Sequence, residues 1–219
     1  MSFYVENTYS ETTQFKSAPA GSHLGRCYKI IDLGSQKSEY MGEVKVQHKI
    51  MIGWELHGDD NDGKPLTMDD KRPLSIFKYY TLSWFETSNL RKDLQSWRGK
   101  PWTDAEAVRF DLKTILGAWC MLNVIISNKN GKTYSNVAGI TPVPSMIKQA
   151  GLPSAVNPNQ LFIISDPDME IYNSLSKSLQ EKIASSPEWQ ARMGRSSHVM
   201  SSSKAPNPTI EEMDDDIPF

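Results

Sequence analysis

The amino-acid sequence predicts a mainly β domain: five strands with one helix between the third and fourth, then helices, then an acidic tail. Three observations predict it. Period-two apolar alternation recurs in short runs between Leu24 and about Pro142. The spacing turns helical once, at Leu90, Leu94 and Trp97, and apolar residues thin out after about residue 194. At 219 residues one core can form with chain to spare. The expected division is a β domain over 1–142, a helical extension over 143–193 packing on that domain or on a second subunit, and an irregular tail over 194–219.

The elements follow in order. "HLGRCYKIIDL" makes a first strand and "GSQKSEYMG" a turn. In "EVKVQHKIMIGWEL" the residues Val44, Val46, His48, Ile50, Ile52, Trp54 and Leu56 share one face, with Glu43, Lys45, Gln47, Lys49 and Met51 on the other. After a loop rich in Asp, Gly and Pro, "LSIFKYYTLSWF" sets Ile76, Tyr80, Leu82 and Trp84 against Phe77, Tyr79, Thr81 and Ser83. The helix around Leu90 stops at Gly99 and Pro101. Asn130-Gly131 between two β runs is the favoured pair for a tight hairpin turn, which supplies strands four and five. Further on, Ile171, Leu175, Leu179 and Ile183 are spaced by four as in a single helix, and Ser186-Pro187-Glu188 starts another.

Three strands, a helix and two strands is the order of the OB fold, a small five-stranded Greek-key barrel that binds oligonucleotides or oligosaccharides around strands two and three. Other small β barrels with an inserted helix share that order, which leaves them open.

The net charge of −2 conceals an asymmetry. From Ser196 onward one lysine faces five acids, a balance of −4, so residues 1–195 carry −2 − (−4) = +2. Two cysteines are too few for a disulfide framework, no basic apolar leader opens the chain, and no apolar run reaches membrane-span length, so a reducing cytoplasm is the expected compartment. Gly58, Gly63 and Lys64 fit the opening of a phosphate-binding loop, but Pro65 replaces the magnesium-binding hydroxyl, Asp59, Asp60 and Asp62 would repel phosphate, and a strand follows instead of a helix. The same acids miss calcium-loop spacing. His23, Cys27 and His48 lack a fourth zinc ligand, and His48 reads as a core histidine. No nucleophile or acid–base pattern supports an enzyme, and no cofactor is implied.

A different chemistry fits the strands. Arg26 and Tyr28 on the outer face of strand one, Lys45 and Lys49 on strand two, and Phe77 and Tyr79 on strand three meet if the strands pair in sequence order. Cations neutralise phosphates and unpaired bases stack on rings, for about 1–3 kcal/mol per base. Exposed rings also cover neighbouring strands, and alternating lysines keep a sheet soluble, so residue types alone leave the two readings level. Lys132 and Tyr134 after the Asn-Gly turn, and more weakly Lys37 and Tyr40, flank the same surface. Trp54, Tyr80, Trp84 and Trp97 are assigned to the core.

The chain closes on "EEMDDDIPF". Asp214, Asp215 and Asp216 can steer towards a basic rim while Ile217, Pro218 and Phe219 fill an apolar pocket, so this tip is expected to dock on other proteins. It is also expected to compete for the basic groove. "MDDDIPF" resembles the acidic tip of bacterial single-stranded DNA-binding proteins, which likewise place an OB domain ahead of a disordered linker. The body, with "SNLRKDLQSWRGKPW" and "KNGKTYSNVAGITP", is more similar to phage-encoded single-stranded DNA-binding proteins that carry such a tip. The resemblance implies a protein that coats single-stranded DNA and recruits replication, recombination and repair proteins through its tip. Two alternatives stand beside it: an interaction module that mimics the tip without binding DNA, and an RNA-binding OB protein.

Overall fold

The computed structural model describes residues 16–40, 43–129 and 131–199. Its centre is a sheet in the order β3-β2-β1-β4-β5, built from β1 (Gly21–Tyr40), β2 (Glu43–His57), β3 (Ser75–Thr81), β4 (Trp119–Lys129) and β5 (Lys132–Thr141). These neighbours are all antiparallel, and a sixth strand, β6 (Gln160–Phe162), runs parallel to β1. The sheet is not closed: its edges β3 and β5 approach each other but share no ladder among the described residues.

Helix α1 (Asn89–Arg98) lies between those edges, with the sequence features that define it in place. Ser88 caps its start by accepting from the Arg91 amide, and Gly99 ends it at φ 71°. Leu90, Leu94 and Trp97 turn inward, worth about 1.5–3 kcal/mol for each aliphatic side chain buried. The Ser96 hydroxyl donates to the Ile140 carbonyl at 2.6 Å, and Trp97 Nε1 to the Trp119 carbonyl at 3.0 Å. Asp93 accepts from both Lys78 and the Tyr80 hydroxyl, which fastens the other side to β3. Trp54, Tyr80 and Trp97 are buried as expected, whereas Trp84 is half-buried against Trp102 and Phe110.

Three expectations need correction. The segment 34–40 is not a turn: β1 continues through it and pairs with β2 as far as Tyr40 opposite Glu43. Gly34, at φ 67°, serves a bulge that bends the strand instead of ending it. Second, β2 is apolar on both faces over part of its length. Ile50, Ile52, Trp54 and Leu56 enter the main core, but Met51, expected among polar neighbours, enters a second core with Ile31, Leu33, Phe162, Ile183 and Trp189. Val44 and Val46, expected to be apolar-facing, are exposed because the β1–β2 ribbon outruns β3 there. Third, the single helix through Ile171 and Ile183 is two, α4 (Met169–Ser174) and α5 (Lys177–Ala184). Leu175 between them is extended at ψ 153°, and the Ser174 hydroxyl donates to the Ile171 carbonyl.

The extension packs directly on the sheet. Helices α5 and α6 (Pro187–Val199) lie on β1, α3 (Ser145–Ala150) opens the extension, and ahead of it Glu106 of the short helix α2 (Asp104–Val108) pairs with Arg98 of α1. Helix α6 starts where expected but continues to Val199, past the point at which irregular chain was expected. The tip, Asp214 to Phe219, lies outside the described residues, as does Asn130 of the hairpin turn; Gly131 has the positive φ, 72°, that such a turn uses. No helix among the described residues is long and apolar enough to cross a membrane.

Candidate nucleic-acid interface

Two strands decide what the outer face of the sheet offers. In β1 the ladder passes from Cys27 opposite Trp54 to Lys29 opposite Gly53, skipping Tyr28. This bulge sends Cys27 and Ile30 into the main core and leaves Tyr28 and Lys29 along one groove. In β3, Phe77 stands opposite Gly53 and Tyr79 opposite Met51, and the two residues are 39% and 50% exposed.

A groove of about 660 Å³ results, with Tyr28, Lys29, Phe77, Tyr79 and, from β5, Tyr134 among its walls. Lys16 adds charge at its rim, while Arg72, also there, is paired with Asp70 at 2.6 Å. The Lys29 ammonium lies 5.4 Å from the Tyr28 ring centroid, and Lys182 of α5 lies 4.8 Å from that of Tyr79. Burial pushes the Lys29 pKa down and those of Tyr28 and Tyr79 up. Lys49, opposite Thr81 and two positions from Met51, continues the strip. Its ammonium donates to Gln47 Oε1 at 2.8 Å and Thr81 Oγ1 at 2.7 Å, so neutral partners orient it and its charge stays available.

The expected residues therefore divide. Phe77, Tyr79 and Tyr134 come together as exposed rings, with Lys49 on the adjoining surface. Tyr28, expected on the outer face, lines the groove but is buried at 6% exposure, with its hydroxyl donating to Ser75 Oγ at 3.1 Å, because the bulge packs its ring against neighbouring chain. Lys45 is exposed farther out on the β1–β2 ribbon, 3.6 Å from Glu43, and Lys132 is exposed at the β4–β5 hairpin; neither lines the groove. Arg26 departs most from expectation. It is buried, 3.3 Å from Glu55, and donates also to the Asn157 carbonyl and the Asn159 side chain. Glu55 in turn accepts from the Val156 and Asn157 amides and the Asn157 side chain. Burial raises the Glu55 pKa, but those hydrogen bonds and His57 outweigh it and hold the carboxyl below its ordinary range. Arg26 thus fastens the extension to the sheet, and its guanidinium is spent there.

Lys29 and Lys182 complete the strip without having been singled out in the sequence. Strict alternation from Arg26 and Tyr28 sends residue 29 inward; the adjacent "KII" was the only trace of the bulge. Nothing local marks Lys182, which reaches Tyr79 because Ile183 is buried in the second core. The zinc candidates separate: His23 contacts the Pro19 carbonyl, Cys27 is in the core, and His48 pairs with Asp32 at 2.6 Å. The loop after Gly58 is closed on itself, with Asp60 accepting from the Asp62 and Lys64 amides.

The sequence matches no protein-family model and no curated protein.

Proposed function

We propose that the protein binds single-stranded DNA, without strong sequence preference and without catalysis or a cofactor, and that its DDDIPF tip recruits replication, recombination and repair proteins in a bacterial cell, as a phage-encoded single-stranded DNA-binding protein would. The observation that carries the reading is the strip of Lys29, Phe77, Tyr79 and Lys49 on one face of β1, β2 and β3, with Tyr28 buried beneath it and Lys182 of α5 beside Tyr79. Exposed rings and cations stand side by side along it, a combination that suits unpaired bases and phosphates. A duplex offers such a surface no free base faces.

The strand order supports an OB-type reading of the sheet. In that fold the path β3-β2-β1-β4-β5 returns on itself through contact of β3 with β5, and the face around strands two and three carries the nucleic acid. The candidate strip occupies the same strands.

Titration of a labelled oligothymidine tests the proposal, with an RNA oligonucleotide of equal length in parallel. The expected result is saturable binding whose logarithm falls by about 0.7 per phosphate contact for each tenfold rise in salt. Replacing Phe77 and Tyr79 together by alanine should weaken it by roughly thirtyfold to ten-thousandfold, for two stacked bases at about 1–3 kcal/mol each. Unchanged affinity in a variant that melts normally would remove the strip from the account, and preference for the RNA would reassign the substrate.

A further inference from the structure

A second concave surface lies away from the strip. A cavity of about 480 Å³ opens where α1, α2, α3 and the start of β4 converge. Trp97, Trp102, Phe110 and Trp119 wall it, and Leu94 and Ile115 lie beneath. Trp84 stacks on Phe110 with ring centroids 5.5 Å apart, and Trp102 meets Phe110 edge-on, so these rings form a preassembled wall. Trp102 Nε1 is buried and has no hydrogen-bond partner among the described residues.

The rim is basic. Arg98 packs 4.1 Å over Trp102 and forks onto Glu106, whose carboxyl the arginine holds down at about 2. Arg109 and Lys148, also lining the cavity, are exposed and neither forms an ion pair among the described residues. Beside them stand Val108 and Met146, 84% and 80% exposed, which leaves apolar area uncovered at the mouth.

We propose that this cavity seats the chain's own segment 213–219, with Phe219 and Ile217 against the aromatic wall and the aspartates on Arg109 and Lys148. The complementarity is of both charge and polarity: three cations against one acid line the cavity, and the segment joins three consecutive acids to two apolar side chains. Reach is sufficient. Residues 200–213 can span up to about 46 Å, against a radius of gyration of about 16 Å for a domain of this size. The groove suits the segment less well, because its rings project from a sheet face and one is already covered by Lys182. The inference goes beyond DNA binding and does not depend on it: a tip held here is withheld from partner proteins, not from the DNA strip.

The experiment uses the full chain carrying Ile217→Ser and Phe219→Ser, so that its own tip does not compete, and a fluorescent peptide EEMDDDIPF blocked at both ends. Anisotropy should report saturable binding with a Kd of order 10 µM. Arg109→Glu with Lys148→Glu should weaken it at least tenfold, as should alanine at the peptide's last position, while Tyr79→Ala leaves it unchanged. If the double charge reversal lowers the melting temperature, Arg109→Gln with Lys148→Gln replaces it and should weaken binding in the same direction. No binding up to about 1 mM peptide overturns the proposal. So does binding that Tyr79→Ala abolishes and the Arg109 and Lys148 variants retain, which would place the tip in the groove.

Discussion

The Phe77 ring lies across Gly53 on the neighbouring strand: a Cβ added at Gly53 would stand 2.7 Å from two carbons of that ring. On the far side the same Cβ would meet the Lys29 Cβ at 3.3 Å. The glycine is therefore a condition for the strip, letting an aromatic from β3 and a cation from β1 close over β2. Gly53→Val is expected to swing the ring away and weaken oligothymidine binding about as much as Phe77→Ala. In the double variant the two losses should not add, because both remove one stacking platform. Additive losses in a binding cycle would show that Gly53 acts elsewhere.

Lys182 should behave as part of the strip although it belongs to the helical extension. Lys182→Ala is expected to weaken binding severalfold and to flatten the salt dependence by about one phosphate contact, or 0.7 in the logarithmic slope. Tyr79→Ala should instead lower affinity with the slope kept. Melting should barely move for Lys182→Ala, since this side chain is exposed. A salt slope identical to the parent's would make Lys182 a packing residue only.

Arg26 and Glu55 carry the opposite prediction, large in stability and small in direct contact. Glu55 is fully buried, and Glu55→Ala strands the Arg26 charge and frees the amides of Val156 and Asn157. Loss of one partner of a buried pair costs about 3–5 kcal/mol. Urea melts should show that loss, and Arg26→Met with Glu55→Met should recover part of it. If Glu55→Ala melts like the parent, the contact does not hold the extension in place.

How much of this was legible in the sequence can be traced to particular residues. Leu90, Leu94 and Trp97 announced α1 because its amphipathic period and its Gly99 stop agree, and the structure adds the Ser88 cap. Phe77 and Tyr79 were legible as outward because β3 alternates without interruption. Arg26 was misread because alternation gives only the face of a strand, not whether distant chain will cover it, and Asn157 and Asn159 arrive from the extension to do so. Met51 misled for the same reason, being covered by Phe162 and Ile183. Lys29 was hidden by a bulge, which shifts the two-residue period without leaving a glycine or proline to mark it.

His48 ties stability to pH through the same extension. It sits between Asp32 of β1, 2.6 Å from Nε2, and Glu188 of α6, 3.8 Å from Nδ1, while Glu188 also accepts from the Ser35 amide and hydroxyl. The Asp32 hydrogen bond raises the His48 pKa above its ordinary 6.5, burial opposes it, and Glu188 adds to the rise. For Asp32, burial acts upward, but His48 and the Gly34 and Ile164 amides outweigh it and leave the carboxyl below its ordinary 3.8. A raised histidine contributes stability that is complete below 6.5 and disappears as pH climbs through the raised value. A depressed aspartate contributes stability present above 3.8 and lost as pH falls through the lowered value. The pair is therefore strongest between those limits. Melting temperatures of the parent and of His48→Gln, followed from about pH 5 to about pH 9, should lie farthest apart on the acid side of neutrality and converge as the imidazole loses its proton. A separation that stays constant across that range would mean the imidazole contributes by packing alone.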